Sequence, residues 1–351
     1  IRLDPFERAF AIKWLTGLIA RFDDWVEVIE SDDNDPTRLF EFAAEMLSAF
    51  TRDDSLETGN DNDDGEEDGD AITRPFVFPV FSTAGKIQAG EVRIELQDRA
   101  LSDSDHTCVG LQSWGSAILM SEMICADVGR FFGASTTHGT NYKAHHGLQR
   151  VLELGAGTGM LSILTSKLVG QAYMPYHSSG DGHRGPDVWK VVATDYHPDV
   201  LANLKKNLEA NLDSRSSTTS TTPVSVSVEK LDWNDVPDLD SKPKFDFVFA
   251  ADVIYHPEHP TMIKGCVEKM LKVGGVFWMM VALRKTGRHD GLEEVVDECF
   301  KPGVVDADEL ASCHPGWRLV VLEREEIVRG TERRGLGRAD ESGYVLYKIG
   351  W

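Results

Sequence analysis

Residues 151–159 read Val-Leu-Glu-Leu-Gly-Ala-Gly-Thr-Gly, an apolar run that passes directly into three glycines at alternate positions. This stretch constrains the chain more than any other, because a residue without a Cβ lets the backbone reverse sharply and come close to a ligand. A strand that ends in such a turn belongs to an open α/β sheet, where ligands bind beyond the carboxyl ends of the strands. A nucleoside is the first ligand class to consider. The dinucleotide fingerprint Gly-x-Gly-x-x-Gly is not met, since the third glycine stands one place early at Gly159 and Met160 fills its expected position. That argues against a nicotinamide dinucleotide.

From residue 150 onward strand-like and helix-like segments alternate, the pattern of a parallel sheet covered by helices on both faces. The strands read from composition are 150–154, 188–194, 224–231, 245–251, 276–283, 317–328 and 343–349. No helical segment separates the last two, so the seventh strand is expected to lie antiparallel at that end of the sheet. Residues 173–186, rich in Gly, His and Ser, and 214–222, almost wholly Ser and Thr, read as surface loops. His177, Asp181 and His183 would suit a metal, but polar insertions collect such residues by chance, and no metal is expected.

Upstream, Asp4-Pro5 and Asp35-Pro36 each open a helix, with a capping carboxylate and a proline at the first helical position. Phe6, Phe10, Trp14, Leu18 and Phe22 recur every four residues and continue to Val26 and Ile29, while Leu39, Phe40, Ala43, Met46, Leu47 and Phe50 mark the apolar face of the second helix. Residues 1–50 are therefore expected to form a helical pair with the aromatic stripe in its core. Residues 51–72 hold almost no apolar side chains and read as a disordered acidic linker. Segments 76–81 and 86–96 flank Ser82-Thr-Ala-Gly85 as a hairpin, so residues 73–100 lead into an α/β domain of residues 101–351. After Trp114, residues up to 132 have helical spacing.

The net charge of −22 is uneven, since residues 52–70 hold ten acids and one base. Such a chain lacks the basic track that nucleic acid requires. Cys108, Cys125, Cys266, Cys299 and Cys313 are odd in number and include no Cys-x-x-Cys pair, which argues against a disulfide framework or a zinc knuckle and for a reducing compartment, so a cytoplasmic location is expected. No membrane span of roughly 18 apolar residues is present, and the first residues show no signal-peptide pattern.

The second strand ends in Asp195, ahead of a helix opened by Pro198, and its carboxylate falls where a ribose would lie. With these residues the chain resembles the class I, seven-strand methyltransferases that use S-adenosylmethionine, Glu153-Leu-Gly-Ala-Gly-Thr-Gly159 being the first motif and Asp195 the ribose ligand. Gln112-Ser-Trp114-Gly-Ser-Ala, Leu231-Asp232-Trp233 and Asp252-Val-Ile-Tyr255 narrow the resemblance to family 16, the protein lysine methyltransferases, over roughly residues 76–351. The fold class it implies is α/β, a Rossmann-like seven-stranded sheet with helices on both faces, preceded by the small helical extension and the hairpin.

The resemblance further implies that S-adenosylmethionine is held by Trp114, Glu153, Gly155, Gly157, Gly159, Asp195, Asp232, Trp233 and Ala251. The glycine turn and the helix behind it would meet the methionine carboxylate, Asp195 the ribose hydroxyls, Asp232 the adenine amino group and Trp233 the adenine face, with Trp114 as a cover. Asp252 and Tyr255 would flank the entry of a lysine, whose pKa of about 10.4 must fall by desolvation before it can react. The N-terminal extension and the ending Tyr-Val-Leu-Tyr-Lys-Ile-Gly-Trp are similar to fungal members that modify translation elongation factors. A monomer acting on a protein substrate, with neither nucleic acid nor membrane as partner, is expected. Small-molecule methylation, protein-histidine methylation and a catalytically silent cofactor-binding module remain alternatives. Amino-methylating nucleic-acid enzymes carry Asn/Asp-Pro-Pro-Tyr where this chain has Ala-Asp-Val-Ile-Tyr.

Overall fold

A computed structural model describes residues 5–22, 36–51, 71–81, 88–99, 108–133, 148–170, 188–212, 224–236, 243–284, 290–302, 318–329 and 341–351. They fall into two compact units, each described by itself. The polar segments 173–186, with His177, Asp181 and His183, and 214–222 lie outside the described residues, as do 52–70. Among the described residues no helix is long and apolar enough to cross a membrane.

The first unit holds helices α1 (Pro5–Ala20) and α2 (Pro36–Thr51), each starting at the proline that opens it. Arg8 near the start of α1 donates to the Phe50 carbonyl at 2.6 Å, and Phe22 beyond its end meets Phe40 edge-on at 4.7 Å, so the two helices run antiparallel. Leu15, Ala43 and Phe50 are buried between them, flanked by Ala11, Ile12, Leu18, Ile19, Met46 and Leu47. The expected aromatic core is therefore corrected: Phe10 and Trp14 are 69% and 56% exposed, and Leu39 is exposed as well. Four residues advance a helix by slightly more than one turn, so a strict four-residue repeat drifts about 40° per step and leaves the contact face. Val26 and Ile29 lie outside the described residues.

The second unit begins with strands β1 (Ala71–Phe81) and β2 (Gln88–Arg99), an antiparallel hairpin. It starts two residues inside the expected linker, because Ala71 and Ile72 pair with Arg99 and Asp98. A 3-10 turn (Cys108–Leu111), α3 (Gly115–Ala126) and α4 (Val128–Phe132) follow, with a break where the Asp127 carboxylate accepts from the Arg130 amide. Then come β3 (Leu148–Glu153), α5 (Met160–Gly170), β4 (Val188–Asp195), α6 (Pro198–Leu212), β5 (Val224–Lys230), β6 (Phe245–Ala251), α7 (His259–Met270), β7 (Leu271–Arg284), α8 (Leu292–Cys299), β8 (Val320–Val328) and β9 (Glu341–Gly350).

The seven strands after the hairpin form one sheet in the order β5-β4-β3-β6-β7-β9-β8. The pairs from β5 to β7 are parallel, and β9 is the expected antiparallel strand, lying between β7 and β8. Strand β7 starts five residues before the reading from composition, since Gly274 and Gly275 are absorbed by a register shift against β6 rather than by a turn. Ile263, Cys266 and Val267 of α7 and Val296 of α8 bury one face against Val248, Phe277 and Met279, while Phe131 of α4 packs on Trp278 from the other.

The outer edge of β2 is paired by side chains. Asn203, Asn207 and Asn211 stand four residues apart on α6, and each carboxamide offers a donor and an acceptor as a peptide group does. Asn211 accepts from the Glu95 amide at 3.0 Å and donates to the Glu95 carbonyl at 2.6 Å. Asn207 accepts from the Gln97 amide at 2.9 Å, and Asn203 donates to the Gln97 carbonyl at 2.9 Å. A helix face thus stands in for a third strand and covers the hairpin edge.

Candidate active site

Strand β3 runs into the glycine turn, where Gly155 and Gly157 have φ of 60° and 56°. A Cβ at Gly155 would lie 2.9 Å from Val253 Cγ1 and 3.3 Å from the Trp233 ring, and one at Gly157 would lie 3.1 Å from the Gly110 carbonyl oxygen. Both positions demand glycine on conformation and on space. Gly159 has a different task. Its carbonyl accepts from the Ile163 amide at 2.9 Å to open α5, and its Cα faces Leu204 of α6.

A cavity of about 280 Å³ opens at the carboxyl ends of β3, β4, β5 and β6. The chain steps from β3 outward to β4 and β5, then returns to β6 on the opposite side of β3, and a crevice forms at such a reversal. Trp114, Glu153, Gly155, Gly157, Asp195, Asp232, Trp233, Ala251, Asp252 and Tyr255 all line it, whereas Gly159 does not. Four of these are carboxylates, and the described lining residues include no Lys or Arg.

Each acid is held differently. Glu153 accepts from the Ser162 amide at 2.8 Å and from the Ser162 hydroxyl, so it braces the first turn of α5. Burial pushes its pKa up to about 7, with the Asp195 charge adding and the Ser162 hydrogen bonds opposing. Asp195 accepts from the Tyr196 and His197 amides at 2.8 and 3.2 Å and, through its second oxygen, from the Gly157 amide at 3.2 Å. Burial raises its pKa against those three bonds. The exposed Asp232 accepts from the Asn234 amide at 2.9 Å, which aims the following Trp233 across Gly155.

Asp252 is the non-glycine residue with positive φ, 57°, among the described residues. Such a backbone costs of order 1–3 kcal/mol and gathers at functional sites. Both Nη atoms of Arg284 lie 3.5 Å from Asp252 Oδ1, Arg284 also pairs with Glu341 at 3.3 Å, and the Tyr344 hydroxyl donates to Glu341 at 2.6 Å. Asp252 is thus tied into β7 and β9 as well as facing the cavity. Tyr255 is pushed up to about 12 by burial and then by Tyr196 and Asp195, so its phenol keeps its proton at neutral pH.

Sequence reasoning overlooked His259. Its ring meets Tyr255 edge-on at 4.2 Å and Trp233 at 5.8 Å, bracing both walls of the cavity. His259 Nδ1 lies 2.9 Å from the Val253 carbonyl and 3.4 Å from the Tyr255 amide. One nitrogen cannot donate to the first and accept from the second, and the shorter contact makes it the donor. Burial lowers the pKa of this ring, which favours the neutral form. Tyr255 lies outside α7, so no helical spacing joined the two, and the available signal was Pro260, which opens the helix beside His259. Trp114 Nε1 donates to the Val109 carbonyl at 2.8 Å, fixing that indole at the cavity rim.

Residues 96–295, more than half of the chain, match the lysine methyltransferase family. The chain is 28% identical over 182 residues to protein-lysine N-methyltransferase EFM2 of Saccharomyces cerevisiae, covering 50% of this chain and 38% of that one. Against protein-lysine N-methyltransferase rrg1 of Schizosaccharomyces pombe it is 24% identical over 289 residues, 81% of this chain and 73% of the other. With EEF1A lysine methyltransferase 3 of Xenopus tropicalis it shares 33% identity over 118 residues, 33% of this chain and 39% of the relative.

Proposed function

Because the chain belongs to the lysine methyltransferase family, we propose that it transfers a methyl group from S-adenosylmethionine to the side-chain amine of a lysine in a protein. The observation that carries this reading is the acidic lining of the cavity, in which no Lys or Arg stands among the described lining residues beside Asp195 and Asp232, Glu153 being about half protonated at neutral pH and Asp252 paired with Arg284. Such a lining favours cationic ligands, a sulfonium cofactor and a lysine, and disfavours phosphates. The glycine turn fits the group: at Gly155 and Gly157 a Cβ would close the space against Trp233, Val253 and Gly110.

Asp195 would accept from the ribose hydroxyls, Trp233 and Asp232 would hold the adenine, and the N-terminus of α5 behind the turn would meet the methionine carboxylate, since the Ala156, Gly157 and Gly159 amides are already bonded to Thr194, Asp195 and Ala156. When bound, S-adenosylmethionine would supply a methyl carbon activated by its sulfonium, open to displacement by an amine nitrogen with the thioether as leaving group. The residues supply position and a partly desolvated channel, in which the lysine ammonium gives its proton to solvent before its nitrogen attacks. The protonated Tyr255 phenol accepts from the amine through its oxygen and offers its ring to the cation before the proton leaves. Asp252, held in place by Arg284, would present its carboxylate to the ammonium as a fixed acceptor at the entry. The likeness to elongation-factor methyltransferases makes a translation elongation factor the first protein to test.

The test is to incubate the protein and labelled S-adenosylmethionine with a lysate lacking the native enzyme, then digest to amino acids. Label in methyl-lysine supports the reading; label in methyl-histidine, RNA or a small metabolite overturns it. Tyr255→Phe should leave cofactor affinity unchanged and lower turnover, because the ring stays while the orienting hydroxyl is lost.

A further inference from the structure

Glycine populates many backbone conformations, so a turn built on three of them is loose unless something outside grips it. Thr158, between Gly157 and Gly159, is gripped twice, and both grips lead to the β1–β2 hairpin. Its carbonyl accepts from Asn207 Nδ2 at 3.0 Å, and the same carboxamide accepts from the Gln97 amide of β2 at 2.9 Å. Its hydroxyl lies 3.2 Å from Ser113 Oγ, which donates to Asp98 Oδ1 at 2.7 Å. With the Ser113 proton committed to Asp98, the Thr158 hydroxyl is the donor to Ser113. Asp98 in turn pairs with Arg74 of β1 at 2.9 Å. Asn207, Asp98, Ser113 and Thr158 are all buried, where each hydrogen bond is costly to leave unmade.

We propose that the hairpin is a positioning element of the cofactor site: through Asn207 and Ser113 it holds the glycine turn in its binding shape before the ligand arrives. The inference rests on reading that turn as the S-adenosylmethionine site and adds the hairpin to it. Fixing a flexible binding segment in advance raises affinity by removing the cost of ordering it.

The experiment titrates S-adenosylhomocysteine into wild type and three variants by calorimetry, with amide hydrogen exchange followed on the wild type. Asn207→Ala and Ser113→Ala should each weaken binding by about tenfold. Asn211→Ala removes the hairpin contact at Glu95 and a bond to the Asn207 carbonyl but leaves the Asn207 carboxamide on Thr158 and Gln97, and should lower thermal stability while changing affinity less than about twofold. Binding should also slow exchange of the Gln97 amide on the hairpin. Should Asn207→Ala fail to fold, Ser113→Ala carries the test. If wild type binds nothing, the cofactor reading falls and this inference with it. If wild type binds and the Asn207 and Ser113 variants bind as tightly, only the role of the hairpin is overturned; equal weakening in Asn211→Ala overturns it too.

Discussion

Glu153 shares a water-poor corner with Asp195, whose charge adds to the cost that burial puts on ionising Glu153. Its ordinary pKa of 4.5 rises to about 7 in the folded protein, so between those values the folded state binds more protons than the unfolded chain. The associated stabilisation is complete below pH 4.5 and is lost as pH rises through 7. Thermal unfolding of the ligand-free protein should therefore move to higher temperature between pH 8 and pH 5, by up to about 3 kcal/mol from this residue. Glu153→Gln should flatten that dependence without abolishing it, because Asp195 shifts in the same direction. An unchanged slope in the variant would mean that Glu153 is ionised throughout. At this scale the lining of the cavity is largely legible in the sequence, because Gly155, Gly157, Asp195, Asp232, Trp233, Asp252 and Tyr255 each stand at a strand end or within four residues after one. His259 and Asn207 are not, since what they touch is fixed by folding: Asn207 meets Gln97, 110 residues away in the chain.

Strands and helices are legible where composition is decided locally, as in β6, whose bounds agree with those read from the residues. They are not where a neighbour decides, as at the start of β1 or the glycine pair in β7. Helix α1 is the clearest case, because its periodicity marks a helix but not the face that α2 covers. Leu15→Ala should cost the helical pair roughly 2–5 kcal/mol, the range for a buried leucine, while Phe10→Ser should cost little. Hydrogen exchange in α2, read at Leu47 and Phe50, would rank the two variants. Greater loss of protection from Phe10→Ser would place the aromatic stripe back in the core.

Across the whole molecule, charge is concentrated in residues 52–70, which carry ten of its acids. Replacing those acids with Ser and Asn should leave turnover of a short lysine peptide unchanged, but slow association with a basic protein substrate by about tenfold at low salt. Raising the ionic strength should erase the difference, as screening requires. A collapse of peptide turnover would show that the run takes part in the active site. The order of the large sheet has a consequence for how the protein is made. Strand β9 comes last in chain order among the described strands, yet it sits between β7 and β8, with Tyr344, Val345, Leu346, Tyr347 and Ile349 all buried. On the ribosome, β8 emerges first and has no strand of the sheet to join until β9 follows. Until then β7 presents an unpaired, apolar edge. Synthesis therefore passes through a sticky stage that closes only when this strand is in place, so a chain truncated before β9 should aggregate, as light scattering after translation would show, rather than fold with reduced stability.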